Sequence, residues 1–309
     1  MPTGFGWDFR TQYQKCQWEN HEYRGRKYKD ALYEKVSDNI ARITLNRPER
    51  RNAFNDGMFN DMGAGLHEAN DDPDVRVVII RGAGTSFGSG HELSSPTEEE
   101  SPPINPKLNP TGVDYYGLER RRCGKHEDIM NYPKIIIAQV HGYCIGASEI
   151  VAQMCDFVIA AEDTQFGVRG FGRFTFGIAN WPGFWPGESQ KAWCGHLLGE
   201  ISGKEAADGG MITKAVPFAQ LEEETMKWAN IVCEMPPQIL FFAKEWLNVI
   251  ADISGISTAW RQHYAEHLML QYVHFRPEEV SMYKVRRDVG LKGFITSRSA
   301  ASTPDTEVK

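Results

Sequence analysis

Residues 75–92 and 133–149 carry the groups whose types and spacing could do chemistry. Each stretch is an apolar run of strand length that breaks into glycine-rich chain, and the second then enters a helical pattern. Glycine lets the backbone turn sharply and lets a ligand approach main-chain N–H groups closely. Two such turns side by side can aim two N–H donors at one oxygen, which is an oxyanion hole, so the chemistry indicated is that of an acyl carbonyl. Titratable side chains stand at both turns: His91 and Glu92 at the first, Glu149 at the second. Glu149 is the leading candidate to move a proton; its alternative role is to balance the positive start of the helix it opens. His91 offers an imidazole, the side chain that changes charge nearest neutral pH, or serves structurally. His141 reads as structural.

These groups need a scaffold. Residues 33–46 alternate like one strand, and Asn46-Arg47-Pro48 breaks it. Residues 56–70 have helical spacing through Met58, Met62, Leu66 and Ala69, and Asp71-Asp72-Pro73 ends that helix before a buried strand over 75–81. The stretch 94–114 is rich in proline and glutamate and reads as a mobile loop. Helical character returns near Tyr115 and continues to Met130, and residues 221–294 are almost wholly helix-compatible. Strand and helix alternate over the first two thirds, which argues an α/β class built of ββα or βα units with mostly parallel strands.

Composition excludes several classes. With 41% hydrophobic and 24% charged residues the chain is that of a globular protein. A net charge of −7 gives no general attraction for nucleic acid or an anionic membrane, and no stretch approaches the ~20 apolar residues of a membrane span. Residues 1–10 lack the basic-then-apolar order of a secretory signal, so a cytoplasmic location is expected. The six cysteines lack paired spacing and read as buried thiols rather than metal ligands. Arg120-Arg121-Arg122 reads as a solvated helix face, or as a contact with a phosphate-bearing ligand.

Five segments in order resemble the crotonase (enoyl-CoA hydratase/isomerase) superfamily: Ile43 to Phe54, the two glycine turns, Cys155 to Gly167, and Ile201 to Pro217. The resemblance implies a crotonase-like spiral of ββα units with a C-terminal helical region, assembled as a homotrimer or homohexamer. Along the chain it implies an arm over 1–30, a spiral core over 31–220, a helical oligomerisation region over 221–296 and a polar tail over 297–309. Apolar and aromatic stripes at Trp228, Phe241, Phe242 and Trp246 fit that assembly.

The resemblance also implies an acyl-CoA substrate, with CoA entering as part of it and no separate cofactor or metal. The donors carried over are the N–H groups of His91 and Ala147. The implied ligand-binding set is Arg50, Arg51, Ala53, Ser89, Gly90, Leu93, Gly146, Arg169 and Trp181. Trp181 lies in an aromatic segment over 173–187 that reads either as a pocket for a bulky or cyclic acyl group or as a subunit contact. Glu92 fits a position that mostly supports the turn and the ligand, and it is the third catalytic candidate after Glu149 and His91. Arg169 and Arg173 could bind an anionic part of the ligand or pair with Glu149 or Glu92.

The departures bear on the reaction. Hydratases of the superfamily hold water with two glutamates. Counting back from Asp156 the first falls on Ile150, beside Glu149, and the second falls on Gly170. The expected activity is hydration or isomerisation of an unsaturated acyl-CoA through an enolate. Hydrolytic carbon–carbon cleavage of a β-dicarbonyl, a cyclic ketone or ketoacyl-CoA, is the alternative; a catalytically silent homologue is the other.

Overall fold

The computed structural model describes residues 23–92, 112–167, 200–272, 288–290 and 293. Among the described residues two sheets carry nine strands. The larger has the order β1-β2-β3-β4-β6-β9, formed by β1 (Ala31–Ser37), β2 (Ile40–Leu45), β3 (Val77–Gly82), β4 (Ile135–Val140), β6 (Phe157–Ala161) and β9 (Lys214–Val216). The smaller has the order β5-β7-β8, formed by β5 (Tyr143–Ile145), β7 (Gln165–Gly167) and β8 (Glu200–Ser202). In the large sheet only β1 and β2 are antiparallel; every other neighbouring pair is parallel.

The single strand expected over 33–46 is a hairpin instead. Asp38 and Asn39 form a two-residue turn, and Ser37 pairs with Ile40. Apolar alternation runs on through both arms, which hid the turn from a period-2 reading. The pair β1–β2, followed by α1 (Asp56–Asp71), makes the first ββα unit.

Alternating side chains, each set facing its own core, explain why residues 77–80 of β3 and 135–138 of β4 are continuously apolar. Val78, Ile80, Ile136, Ala138 and Val140 pack in one core with Met58, Met62 and Leu66 of α1. Val77, Ile79, Ile135 and Ile137 face the opposite core, closed by Leu221, Ala229 and Val232 of α5 (Leu221–Glu234). Asn55 caps α1 by accepting the Met58 N–H at 2.8 Å. Residues 23–30 lie along α1: Asp61 accepts from the Arg26 guanidinium (2.6 and 2.8 Å) and the N–H groups of Lys29 (3.0 Å) and Asp30 (2.8 Å).

α2 (Gly112–Met130) begins at Gly112, so residues 112–114, expected in the loop, are its first turn; the rest of that loop lies outside the described residues. The short helices α3 (Ala147–Gln153) and α4 (Gly203–Asp208) follow β5 and β8. α6 (Pro237–Ile253) buries only Lys244, and α7 (Ile256–Tyr272) packs on α2 through Trp260 and Tyr264. The expected aromatic stripe divides here. Trp228 lies on α5 with its ring against Phe157, whereas Phe241, Phe242 and Trp246 of α6 face solvent. Among the described residues no helix is long and apolar enough to cross a membrane.

Candidate active site

After β2 the chain forms a 3-10 turn over Pro48–Arg50, and Arg51 and Asn52 follow with φ of +49° and +52°. Asn52 is fully buried, and its amide satisfies three backbone groups. It accepts the Arg47 N–H at 2.8 Å and donates to the carbonyls of Ala83 at 2.9 Å and Ser86 at 2.7 Å. The loop that carries Arg50 and Arg51 is thereby fixed to the turn leaving β3.

That turn then runs between two other segments. On one side Phe87 and Gly88 donate to His141 and Tyr143 (2.7 and 2.8 Å), and Ile145 donates to Gly88 at 3.0 Å. On the other, Ser89 donates to Arg51 (3.0 Å), Phe54 to Gly90 (2.8 Å) and Glu92 to Phe54 (2.9 Å). The two glycine-rich stretches are thus zipped together.

Two glycines set the geometry at their meeting point. Gly90 has φ of +93° and Gly146 of +56°, a region that side-chain-bearing residues rarely adopt. A Cβ on Gly90 would stand 3.0 Å from the Ile145 oxygen and 3.8 Å from the Ala147 nitrogen. A Cβ on Gly146 would stand 3.9 Å from the Gly90 Cα. The turns bearing the His91 and Ala147 N–H groups are therefore in contact. The Ala147 N–H precedes the first internal bond of α3, which runs from Ile150 N–H to the Gly146 carbonyl at 3.0 Å. Two such donors can stabilise negative charge on one oxygen.

Among the proton-moving candidates, Glu149 is 0% exposed, in the first turn of α3, whereas Ile150 is only partly buried at the core margin. Burial, then the nearby Glu149 charge, push the Cys144 thiol well above its ordinary pKa, so it is not a thiolate nucleophile. The His91 side chain is exposed, with its ring 6.2 Å from Phe59. Glu92 is held by Arg47: Arg47 Nη2 meets Glu92 Oε2 at 2.5 Å and Arg47 Nη1 donates to the Ala53 carbonyl at 2.7 Å. Both side chains are largely buried, at 15% and 10% exposure. His141 Nε2 lies 2.9 Å from the Gly84 carbonyl and its ring packs on Phe218.

Of the expected ligand-binding residues, Arg50 and Arg51 are exposed, and the Arg51 guanidinium lies 5.2 Å from the centre of the Tyr143 ring. Ala53 is buried, and Ser89 Oγ donates to the Arg50 carbonyl at 3.3 Å. Leu93, Arg169, Arg173 and Trp181 lie outside the described residues.

Three residues of the site went unseen in the sequence. Asn52 carried a usable signal, because Asn tolerates left-handed backbone and bonds to nearby main chain. Nothing local linked Arg47 to Glu92. Ser148 sits between the turns: its hydroxyl accepts the Gly90 N–H at 3.0 Å and donates to the Ile145 carbonyl at 2.7 Å.

Comparison with known proteins agrees with this architecture. Residues 35–293 match the model of the family described as enoyl-CoA hydratase/isomerase. EchA13 of Mycobacterium tuberculosis, named as an enoyl-CoA hydratase, is 33% identical over 250 residues, covering 76% of this chain and 79% of its own. A crystal structure of an enoyl-CoA hydratase/isomerase from Xanthobacter autotrophicus Py2 matches at 29% identity and a TM-score of 0.73, over 90% of this chain and 100% of that one. One of an enoyl-CoA hydratase from Mycobacterium smegmatis matches at 25% identity and a TM-score of 0.75, over 90% and 95%. The chain belongs to the enoyl-CoA hydratase/isomerase family.

Proposed function

We propose that this protein binds an acyl-CoA thioester and carries its reaction through an enolate held by the His91 and Ala147 N–H groups. The observation that carries this reading is the contact between Gly90 and Gly146, two left-handed glycines that bring the donor-bearing turns together. A donor pair aimed at the developing oxyanion lowers the barrier by binding the transition state more tightly than the ground-state carbonyl.

Glu149 is the acid/base of this reading. In hydration its carboxylate accepts a proton from water as the water oxygen adds to the β-carbon, and the displaced electron pair moves to the thioester oxygen. The same proton then returns to the α-carbon. In isomerisation Glu149 removes a proton from one carbon and returns it to another. Glu92, neutralised by Arg47, steadies the first turn rather than moving a proton. Arg50 and Arg51, exposed at the rim, are placed to meet the phosphates of CoA. The subunits assemble as trimers or hexamers through the solvent-facing apolar side of α6.

A second reading, hydrolytic cleavage of a β-dicarbonyl, is favoured by one observation. The position three residues beyond Gly167 is Gly170, so the second water-holding acid is missing while the oxygen-binding turns remain. One panel of unsaturated and β-dicarbonyl acyl-CoAs, read by chromatography and mass spectrometry, separates the outcomes. Hydration adds the mass of water to an intact chain, isomerisation changes retention alone, and cleavage adds water with ring opening or fragmentation. No change with any member of the panel would refute the enzyme reading.

A further inference from the structure

We infer that Ser148 is the positioning residue of the oxyanion hole, a single buried hydroxyl that locks its two turns in register. This inference rests on the proposed hole and concerns what holds its donors in place.

A left-handed glycine provides the required backbone angle but no side chain to hold it. At Gly90 both flanking peptides must therefore be anchored from outside. The peptide that carries the His91 N–H is held through the Gly90 carbonyl, which accepts the Phe54 N–H at 2.8 Å. The preceding peptide is held through the Gly90 N–H, whose acceptor is Ser148 Oγ at 3.0 Å. The same hydroxyl reaches the other turn. It donates to the Ile145 carbonyl at 2.7 Å and lies 3.3 Å from the Ile145 N–H. The Ile145 carbonyl belongs to the peptide entering Gly146, whose N–H is tied to the Gly167 carbonyl at 2.9 Å. Ala147 is one peptide further on. One oxygen thus fixes the peptide entering each of the two left-handed glycines.

The surroundings fit this role. Ser148 is 0% exposed, and its proton is committed to a carbonyl, so it is not a nucleophile. A Cβ on Gly88 would stand 2.6 Å from the Ser148 Cβ and 2.9 Å from its Oγ, so only glycine at 88 leaves the hydroxyl its place. Catalytic donors lose much of their effect when displaced by fractions of an ångström to an ångström, and a hydroxyl shared by both turns controls their separation directly.

The test uses butyryl-CoA, a saturated thioester, with its carbonyl isotopically labelled, and reads the infrared stretch of the bound carbonyl. Wild-type protein is expected to lower that frequency on binding, because two donors polarise the C=O bond. Ser148→Ala is expected to bind the probe with comparable affinity and to return the band most of the way to its free position. On a reactive thioester its kcat should fall about 10- to 100-fold with KM little changed. A merely structural serine would lower thermal stability and leave the band where it was, and a wild-type band in Ser148→Ala overturns the inference. Should Ser148→Ala fail to fold, Ser148→Cys serves instead, since sulfur is a longer and weaker partner. It should shift the band part of the way, and a wild-type band with wild-type kcat in that variant overturns the inference equally. A wild-type protein that binds butyryl-CoA without any shift would sink the hole itself, which separates that failure from a failure confined to Ser148.

Discussion

Replacing Glu149 by glutamine keeps the shape of the side chain and removes its charge. The site is fully buried, so an isosteric amide opens no cavity, and the structural cost includes what the charge contributes at the start of α3. For a carboxylate in a first helical turn that is about 0.3–1 kcal/mol, a shift of about 2–4 °C or less in the midpoint of a domain this large. The cost to turnover is of another size. Loss of a general acid/base lowers kcat by about 10²–10⁴, or about 2.7–5.5 kcal/mol of barrier. The two roles are thus separable in one variant. Steady-state kinetics on the thioester turned over fastest, with thermal denaturation and calorimetric binding of a saturated analogue, measures both. The expected result is near-normal binding and thermal midpoint, with kcat down at least a hundredfold and still above the uncatalysed rate, because the backbone donors remain. A Glu149→Gln enzyme with kcat within threefold of wild type would refute the assignment. His91→Gln, which keeps the backbone donor and removes only the imidazole, then becomes the next variant.

Replacing both Arg50 and Arg51 by alanine should weaken free CoA by about 1–3 kcal/mol, with wild-type binding itself falling as salt rises; calorimetry showing equal affinity would remove the rim site. Arg47→Ala removes the ion pair to the largely buried Glu92 and the bond to the Ala53 carbonyl and should cost about 2–4 kcal/mol in urea denaturation, with lower kcat. Lys244→Ala removes the 2.8 Å salt bridge to Asp156, itself 19% exposed and left with only the Ile136 N–H of the two bonds to that oxygen, and should cost a similar ~2–4 kcal/mol, with faster hydrogen exchange in α6. Burial pushes the Asp61 carboxyl up, but the Lys29 N–H, the Arg26 guanidinium and the Asp30 and Ala31 N–H groups outweigh it and leave the pKa lowered. Its stabilising effect is therefore complete above the ordinary carboxylate range and is lost as pH falls below about 4, so Asp61→Asn should flatten the acid limb of the stability curve. Light scattering should find an assembly well above the 35.0 kDa chain; a stable monomer at micromolar concentration would count against the role given to α6.

The parts of this fold legible in the sequence are those fixed by local patterning. The unbroken apolar runs of β3 and β4 announce strands buried on both faces, and Met58, Met62 and Leu66 announce the buried side of α1. The glycine turns were legible because left-handed backbone demands glycine. What stayed hidden depends on partners distant in the chain. Arg47 and Glu92 are ordinary charged residues until folding places them 2.5 Å apart, and Lys244 reads as a solvent-facing lysine until Asp156 arrives beneath it. Ser148 sat inside a recognised turn, but a hydroxyl's acceptor and donor bonds leave no trace in sequence spacing. Trp228 and Trp246 look alike as helix aromatics, and only packing separates the one against Phe157 from the one facing solvent.

The buried amide of Asn52, with the ladder from Ser89 to Glu92, has a consequence for how substrates of different size are measured. The rim arginines and the left-handed glycines are parts of one hydrogen-bonded body, so the span between them cannot stretch. For any ligand gripped at both places, the zero of the ruler is the thioester oxygen and the first graduation is the nucleotide end. Every difference in acyl length or bulk must then be taken up beyond the carbonyl, away from this body. On the proposed reading, substrate range would accordingly evolve without disturbing the turns assigned to polarise the carbonyl. Changes that broaden or narrow the choice of acyl group should alter KM across a homologous series while leaving affinity for CoA alone constant.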